Sequence, residues 1–471
     1  MSVVWLDVTT IMGWLRPAVG IVRTEAECAN YALALQKKGV QVKFCQFSND
    51  SGYDEVAAER VAETLMRITG HAGDSRNAPP QQPRRESVPL RRKLKKTVLA
   101  LAYRLPHRWR EHVFAFMRTR KPAVVAGWIA LAQLRGASRA FMRPVTSLLT
   151  ATADRVQFNK DTPFRPGDKY ISLGLDWDHK DLKYLYHLKK TVGLRVLLFC
   201  YDVIPVKLPH LCVGDVAARF ALYFTNVAWC ADKILCISDC SRNDLTELLT
   251  ELGAPIPALD TVRLGCHLPE IDPNAEPSPA VAKMLERRYL LFVSTIERRK
   301  NHETLYRAYT RLVDKGVENL PLLVFVGMHG WGVGDLFADL RLDPRTKDYI
   351  QVLNNVSDSE LSRLYRSALF TLFPSVYEGW GLPVAESLAA GKFCLASNAA
   401  SIPEVGGELI EYLDPWDVSV WTERLKWYIE HPSEVERKEA AIREHYVTTK
   451  WSDAAQSVFA AAEIDCDVSV G

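Results

Sequence analysis

Short runs of β-branched and aromatic residues recur along this chain, separated by amphipathic helical patterns. They are VVWLDV (3–8), VKFCQF (42–47), YISLG (170–174), RVLLFCYD (195–202) and KILCIS (233–238), then YLLFVST (289–295), LPLLVFVG (320–327), IQVLNNV (350–356), LFTLFPS (369–375), FCLAS (393–397) and LIEYL (409–413). Most lack strict apolar–polar alternation, as expected of a strand covered on both faces. Segments such as HETLYRAYTRLVDKG and DSELSRLYRSA lie between them. Strand–helix alternation implies parallel sheets in a doubly wound α/β architecture. A proline-rich interruption, HLPEIDPNAEPSP (267–279), divides the runs into two sets and reads as an interdomain linker. A chain of 471 residues is also too long for one core.

Apolar content of 48% with 24% charged residues is that of an ordinary soluble globular protein. The ten cysteines are scattered, form no C-x-x-C pair and often sit inside apolar runs, which reads as free buried thiols in a reducing compartment. No signal peptide or 18-residue uncharged run is recognisable, so a cytoplasmic protein is expected. Residues 76–143 stand apart. They hold 17 Arg or Lys against Glu86 and Glu111, about +15, which leaves about −12 on the remainder of a chain of net charge +3. Basic residues are mixed there with Trp, Phe and Leu, which suits either an interfacial helix on anionic lipid or a helical insertion packed on its domain. A lipid contact would weaken as salt rises. Nucleic acid is not expected, because no recognised binding module accompanies the basic stretch.

Two stretches carry the chemistry. In FPSVYEGWGLPVAESLAAGK, Pro383 suits a first helical turn and a helix is predicted from there. Gly379 and Gly381 allow positive φ or close approach to a ligand. The helix start offers the N–H groups of Val384 and Ala385 to an anion, with Glu386 expected in the first turn. Alone, Glu386 reads equally as a dipole partner and Glu378 as a turn carboxylate. In LLFVSTIERRKNHETL, a strand ends near Ser294 and a helix starts around Asn301 or His302. Arg298, Arg299 and Lys300 therefore fall at a strand's carboxyl end, where open α/β sheets bind ligands. Such cations would neutralise a departing diphosphate, although an Arg-Arg-Lys run is more often a solvated loop. Two carboxylates flanking an anion-binding helix start fit a ligand with sugars on both sides of a phosphate group.

These motifs resemble glycosyltransferase family 4, retaining nucleotide-sugar transferases of the GT-B fold with two Rossmann-like domains. The matching residues are the E-x7-E pair Glu378 and Glu386, STIERRKN, VGMHGWG (326–332), LNNVSDSELSRLY (353–365) and SIPEVGG (401–407). The N-terminal DVTTIMGWLRPAVGIVRTEAECANYALAL, YISLGLDWDH, FCYDVIPVKLP and ILCISDCSRNDL resemble a branch that builds bacterial O-antigens, capsules and exopolysaccharides. The likeness covers most of the chain outside 50–160.

The resemblance implies roles. Lys300 and Arg299 bind the donor pyrophosphate, with Arg298 beside them, and Glu378 touches the transferred sugar. Glu386 takes the ribose hydroxyls. The backbone from Gly379 and Gly381 through Leu382, Pro383 and Val384 holds phosphate or sugar, and Asn354 to Val356 flank the base. Gly20 approaches the diphosphate from a Gly20–Arg23 loop. Arg23, Tyr201 and Asp202 face the cleft from the acceptor side. Many relatives carry arginine at the position of Ser294 and histidine at that of Tyr201, so Arg298 or Arg299 would have to substitute. The DWD triplet, Asp176 to Asp178, reads as structural or acceptor-side, and neither a metal nor another cofactor is expected.

The implied organisation is an acceptor-binding domain over 1–280 with the basic insertion at about 76–143, a donor domain over 281–449, and a final helix over 450–471 crossing back to the first domain. The implied activity is retaining transfer of a hexose, mannose favoured, from a nucleotide diphosphate sugar such as GDP-mannose. The acceptor would be a saccharide or lipid-linked saccharide at the inner face of the cytoplasmic membrane. The alternatives are a nucleotide-sugar epimerase, a phosphorylase, or a non-catalytic nucleotide-sugar-binding partner in polysaccharide assembly.

Overall fold

The computed structural model describes residues 2–16, 18, 20–69, 162–212, 216–269, 271–272 and 274–463. The basic stretch 76–143 lies outside them. The chain folds as mixed α/β with two Rossmann-like domains. Seven strands form the first sheet: β1 (Val4–Asp7), β2 (Val42–Ser48), β3 (Gly52–Val56), β4 (Lys169–Ile171), β5 (Arg195–Cys200), β6 (Lys233–Cys236) and β7 (Ala258–Thr261). Their order is β3-β2-β1-β4-β5-β6-β7, and only the β2–β3 pair is antiparallel.

The second sheet holds β8 (Tyr289–Val293), β9 (Leu322–Val326), β10 (Ile350–Leu353), β11 (Thr371–Phe373), β12 (Cys394–Ser397) and β13 (Glu411–Leu413). It is wholly parallel in the order β10-β9-β8-β11-β12-β13. The order reverses between β1 and β4 in one sheet and between β8 and β11 in the other. Such switch points are where open α/β sheets bind ligands at their carboxyl ends. Central strands are buried throughout, with Leu290, Leu291 and Phe292 of β8 and Leu322 to Val326 of β9 inside apolar clusters on both faces.

The first switch point is filled by the protein's own side chains. Lys180 Nζ lies 3.0 Å from Asp7 Oδ1 and 2.8 Å from Asp176 Oδ1, all buried. Tyr170 donates to Asp7 Oδ2 at 2.6 Å, and Ser172 to Asp176 at 2.7 Å. Asp176, the first residue of DWD, is thereby committed to a buried ion pair. Glu25 accepts from the Ile11 N–H at 2.9 Å and feels this cluster through its charges; burial pushes its carboxyl up to about 8, against the pull of Lys180.

Two chain segments cross between the domains and touch. The Cys266 N–H donates to Thr449 O at 2.9 Å, and a Cβ on Gly265 would lie 2.5 Å from Trp451 Cα. The helix Trp451–Ala461 then packs Trp451, Ala455, Val458 and Phe459 into the N-terminal core, with Phe459 beside Tyr31. The nine described cysteines are all free thiols, seven of them buried. Among the described residues no helix is long and apolar enough to cross a membrane.

Candidate active site

The site begins where β8 ends. Ser294–Glu297 lead into a single 3-10 turn, Arg298–Lys300, and Asn301 takes φ 61 to start the helix His302–Asp314. Asn301 is buried and donates to the carbonyls of Pro374 (3.1 Å) and Pro415 (2.7 Å). The loop after β11 is tied to the same turn, since the Val376 N–H donates to Arg299 O at 2.9 Å. The two loops at the second switch point are thus one unit.

That unit brings the predicted cations onto Glu378. Lys300 Nζ lies 2.6 Å from Glu378 Oε1, and Arg299 Nη1 lies 2.8 Å from Glu378 Oε2. Ser375 donates to Oε1 at 2.5 Å, while Arg299 also pairs with Glu297 at 2.8 Å and donates to Tyr377 O at 2.6 Å. Burial alone would raise the Glu378 carboxyl, but the Arg299 and Lys300 charges overcome it and hold it at about 2. Burial lowers the Lys300 ammonium, opposed by Glu378. Asp202, from the loop after β5, faces this group: burial raises its carboxyl, with Arg299 the main charge opposing. Arg298 does not join them. It is exposed and lies along Gly332.

The glycine turn connects this cluster to a second. A Cβ on Gly379 would sit 2.3 Å from Tyr201 O, so only glycine allows that approach between the domains. Gly381 has φ 134 and precedes the helix Leu382–Ala389, with Pro383 in its first turn. Two expectations change here. The N–H groups of Val384 and Ala385 both donate to Gly381 O, at 3.0 and 3.2 Å, because the turn closes on itself. Pro383 has no N–H, so the amides this helix start can offer a ligand are those of Gly381 and Leu382. The helix also begins one residue earlier than expected, which moves Glu386 beyond the first turn.

Glu386 accepts from Tyr365 OH at 2.8 Å. Burial raises its carboxyl to about 7, opposed by the Tyr365 hydrogen bond and by Arg23. Arg23, expected on the acceptor side, bears on Glu386 by its charge; its Nε lies 3.9 Å from Glu27 Oε1 and its guanidinium 5.9 Å from the Trp451 ring. Gly20 and Arg23 are not in a loop. Gly20, at φ 52, opens the helix Gly20–Lys37 and Arg23 lies in its first turn. Tyr201 turns inward, its phenol donating to Leu173 O at 2.6 Å, and only its carbonyl meets Gly379. Asn354 is exposed and Val356 half-buried in the loop after the edge strand β10. Ser294 is buried, with its hydroxyl 3.4 Å from His302 Nε2.

Glu297, Ser375, Tyr365, Tyr377 and Ser401 lie within the motif stretches, but only their partners in the fold give them a role. Among the described residues no group of three or more His, Cys, Asp or Glu is arranged to hold a metal ion. Chemically, one cluster holds two cations on a carboxylate, and the other holds a carboxylate able to accept from hydroxyls.

The glycosyl transferases group 1 family profile matches residues 276–445, which contain β8 to β13 and both clusters apart from Asp202 and Arg23. An O-antigen chain mannosyltransferase B of Escherichia coli is 32% identical over 191 residues, 40% of this chain and 49% of that protein. A serotype-specific mannosyltransferase, WbdA, of Escherichia coli is 26% identical over 207 residues, 42% of this chain and 25% of its own. The chain thus spans half or less of the length of these curated relatives. Across the whole fold, the structure of sucrose-phosphate synthase from Thermosynechococcus elongatus superposes with a TM-score of 0.53 and 13% identity, covering 98% of each chain.

Proposed function

We propose that this protein, whose residues 276–445 match the glycosyl transferases group 1 profile, is a retaining hexosyltransferase. It moves a hexose, mannose favoured, from a nucleotide diphosphate sugar such as GDP-mannose to a saccharide or lipid-linked saccharide in bacterial surface polysaccharide synthesis. The observation that carries this reading is the meeting of Lys300 and Arg299 on Glu378 at the switch point between β8 and β11.

Glu378 occupies the cations a diphosphate would need. On donor binding the diphosphate takes over Lys300 and Arg299, and the freed carboxylate accepts from hydroxyls of the transferred sugar. Glu386 accepts from the ribose. As the glycosidic bond breaks, negative charge grows on the diphosphate; one cation 4 Å away is worth about 4 kcal/mol at an effective dielectric near 20. The acceptor enters from the Asp202 side, and a leaving-phosphate oxygen takes its proton. His302 is no candidate base: burial and Lys300 push its imidazole down to about 3. The basic stretch 76–143 is proposed to hold the protein on anionic lipid beside a lipid-linked acceptor.

The test is nucleotide release from a panel of nucleotide sugars, with saccharide acceptors either free or presented in anionic vesicles. Acceptor-dependent release with retained anomeric configuration by NMR is expected. Glu378→Ala should keep its circular dichroism and lose about a hundredfold or more in kcat. Near-normal turnover in that variant would remove Glu378 from the chemistry. Donor conversion without acceptor would indicate an epimerase, phosphate dependence a phosphorylase, and tight binding without turnover a non-catalytic binder.

A further inference from the structure

The N-terminal domain grips the turn that carries Glu378 with the start of one helix, Asp239–Glu251. Glu404, in the helix Ile402–Gly406, lays its carboxylate across that start. Oε2 accepts from the Asp239 N–H and Oε1 from the Cys240 N–H, both at 2.8 Å. One turn on, Tyr377 OH donates to Asp244 Oδ2 at 2.6 Å. Between these, the Ser241 hydroxyl lies 3.2 Å from Gly379 O and 3.1 Å from Tyr201 O. The grip extends to the backbone of Glu378, because Ser401 Oγ lies 2.8 Å from the carbonyls of both Glu378 and Trp380. Glu404 and the Glu378 turn are therefore parts of one braced piece.

The first N–H groups of a helix have no partner within it. In this helix the Arg242 N–H reaches Ser238 O at 3.0 Å, and the Ser238 hydroxyl accepts from the Ser241 N–H at 2.9 Å. Asp239 and Cys240 are left, and both of their N–H groups go to Glu404 of the other domain. The bonds are charge-assisted and lie at the positive end of the helix dipole.

We infer that Glu404 is a positioning residue: by clasping the start of the Asp239–Glu251 helix it seats the Glu378 turn against Tyr201 and Asp202, and so sets the geometry of the transfer step without touching the donor. The catalytic half of this inference rests on the transferase reading; the clasp itself does not.

Two measurements on the full chain separate them. In Glu404→Gln, one oxygen becomes a donor facing a backbone donor. Hydrogen exchange at Asp239 and Cys240 is expected to speed up about tenfold or more, while amides deeper in the helix, from Leu245 to Leu249, stay unchanged. With the donor that the wild type turns over, kcat is expected to fall about tenfold while the donor KM stays within about twofold, since Lys300, Arg299 and Glu386 are intact. Cys240→Pro removes one receiving N–H at a position where a helix tolerates proline. It should lower kcat likewise and add little to Glu404→Gln. Unchanged exchange at 239–240 overturns the clasp. Faster exchange with unchanged kcat, or with kcat and donor affinity falling together, overturns the positioning role. If the wild type turns over no nucleotide sugar, the transferase reading fails and exchange alone still decides the clasp.

Discussion

Glu378 and Glu386 stand eight residues apart, and their carboxyls shift in opposite directions. Burial opposes both charges, but Arg299 and Lys300 overcome it at Glu378, while at Glu386 only the Tyr365 hydroxyl and the more distant Arg23 oppose it. Glu378 is thus ionised throughout the physiological range, whereas Glu386 titrates near 7. A neutral carboxyl is a poor acceptor for two hydroxyls, so nucleotide binding should strengthen as pH rises through 7. With GDP as probe, calorimetry is expected to give about tenfold tighter binding at pH 8 than at pH 6, beyond what remains in Glu386→Gln. Stability runs the other way. A raised carboxyl favours the folded state below its ordinary value near 4.5, and that advantage is lost as pH rises through 7. Glu386→Gln should therefore melt higher than wild type at pH 8. An equal pH slope of GDP affinity in both proteins would detach Glu386 from the ribose. The pair is legible in the sequence because its spacing brackets a glycine-rich turn. The parts of Ser375, Glu297 and Tyr365 are not, because a polar side chain acquires meaning only from the partner the fold gives it, here Glu378, Arg299 and Glu386.

At the level of elements, the apolar runs marked the buried strands well. The two strands they missed, β3 and β7, are the outer strands of the first sheet. GYDEV exposes Asp54 and Glu55, and ALDT alternates exposed and half-buried positions. An edge strand needs no continuous apolar run, so its sequence resembles a loop. The helix starts were legible from Pro383 and Asn301, but hydrogen bonding at the first of them was not, because it depends on the φ of Gly381. That φ of 134 makes a local test possible. A Cβ on Gly381 would meet only ordinary contacts, 3.7 Å to Val405 and 3.8 Å to Val384, so the cost of Gly381→Ala lies in the backbone. Urea unfolding should report a loss of about 1–3 kcal/mol. GDP affinity should fall with it, as the Gly381 and Leu382 amides turn away. Unchanged stability would mean that the turn relaxes without strain.

Across the whole molecule, the two domains are joined where the segments around Gly265 and Trp451 cross. The proline-rich linker was visible in composition, but the contact that Gly265 and Cys266, just before it, make with the returning chain was not, since nothing local to them encodes a partner almost two hundred residues away. The crossing is close: a Cβ on Gly265 would lie 2.5 Å from Trp451 Cα and 2.6 Å from Trp451 N. These are backbone atoms at the start of a helix whose Ala454, Ala455, Val458 and Phe459 are buried in the N-terminal core, so they cannot yield as a flexible side chain would. Gly265→Ala must therefore push the two connections apart or lift the helix. Overpacking of this kind costs about 1–3 kcal/mol, which urea unfolding should register. Because Arg23 lies over Trp451 and bears on Glu386, the same shift should reach the donor site. GDP affinity should weaken in Gly265→Ala, and its pH dependence should change as the Arg23 charge moves from Glu386. A variant that loses stability but binds GDP with the wild-type pH profile would show that the crossing holds the domains together without acting on the site.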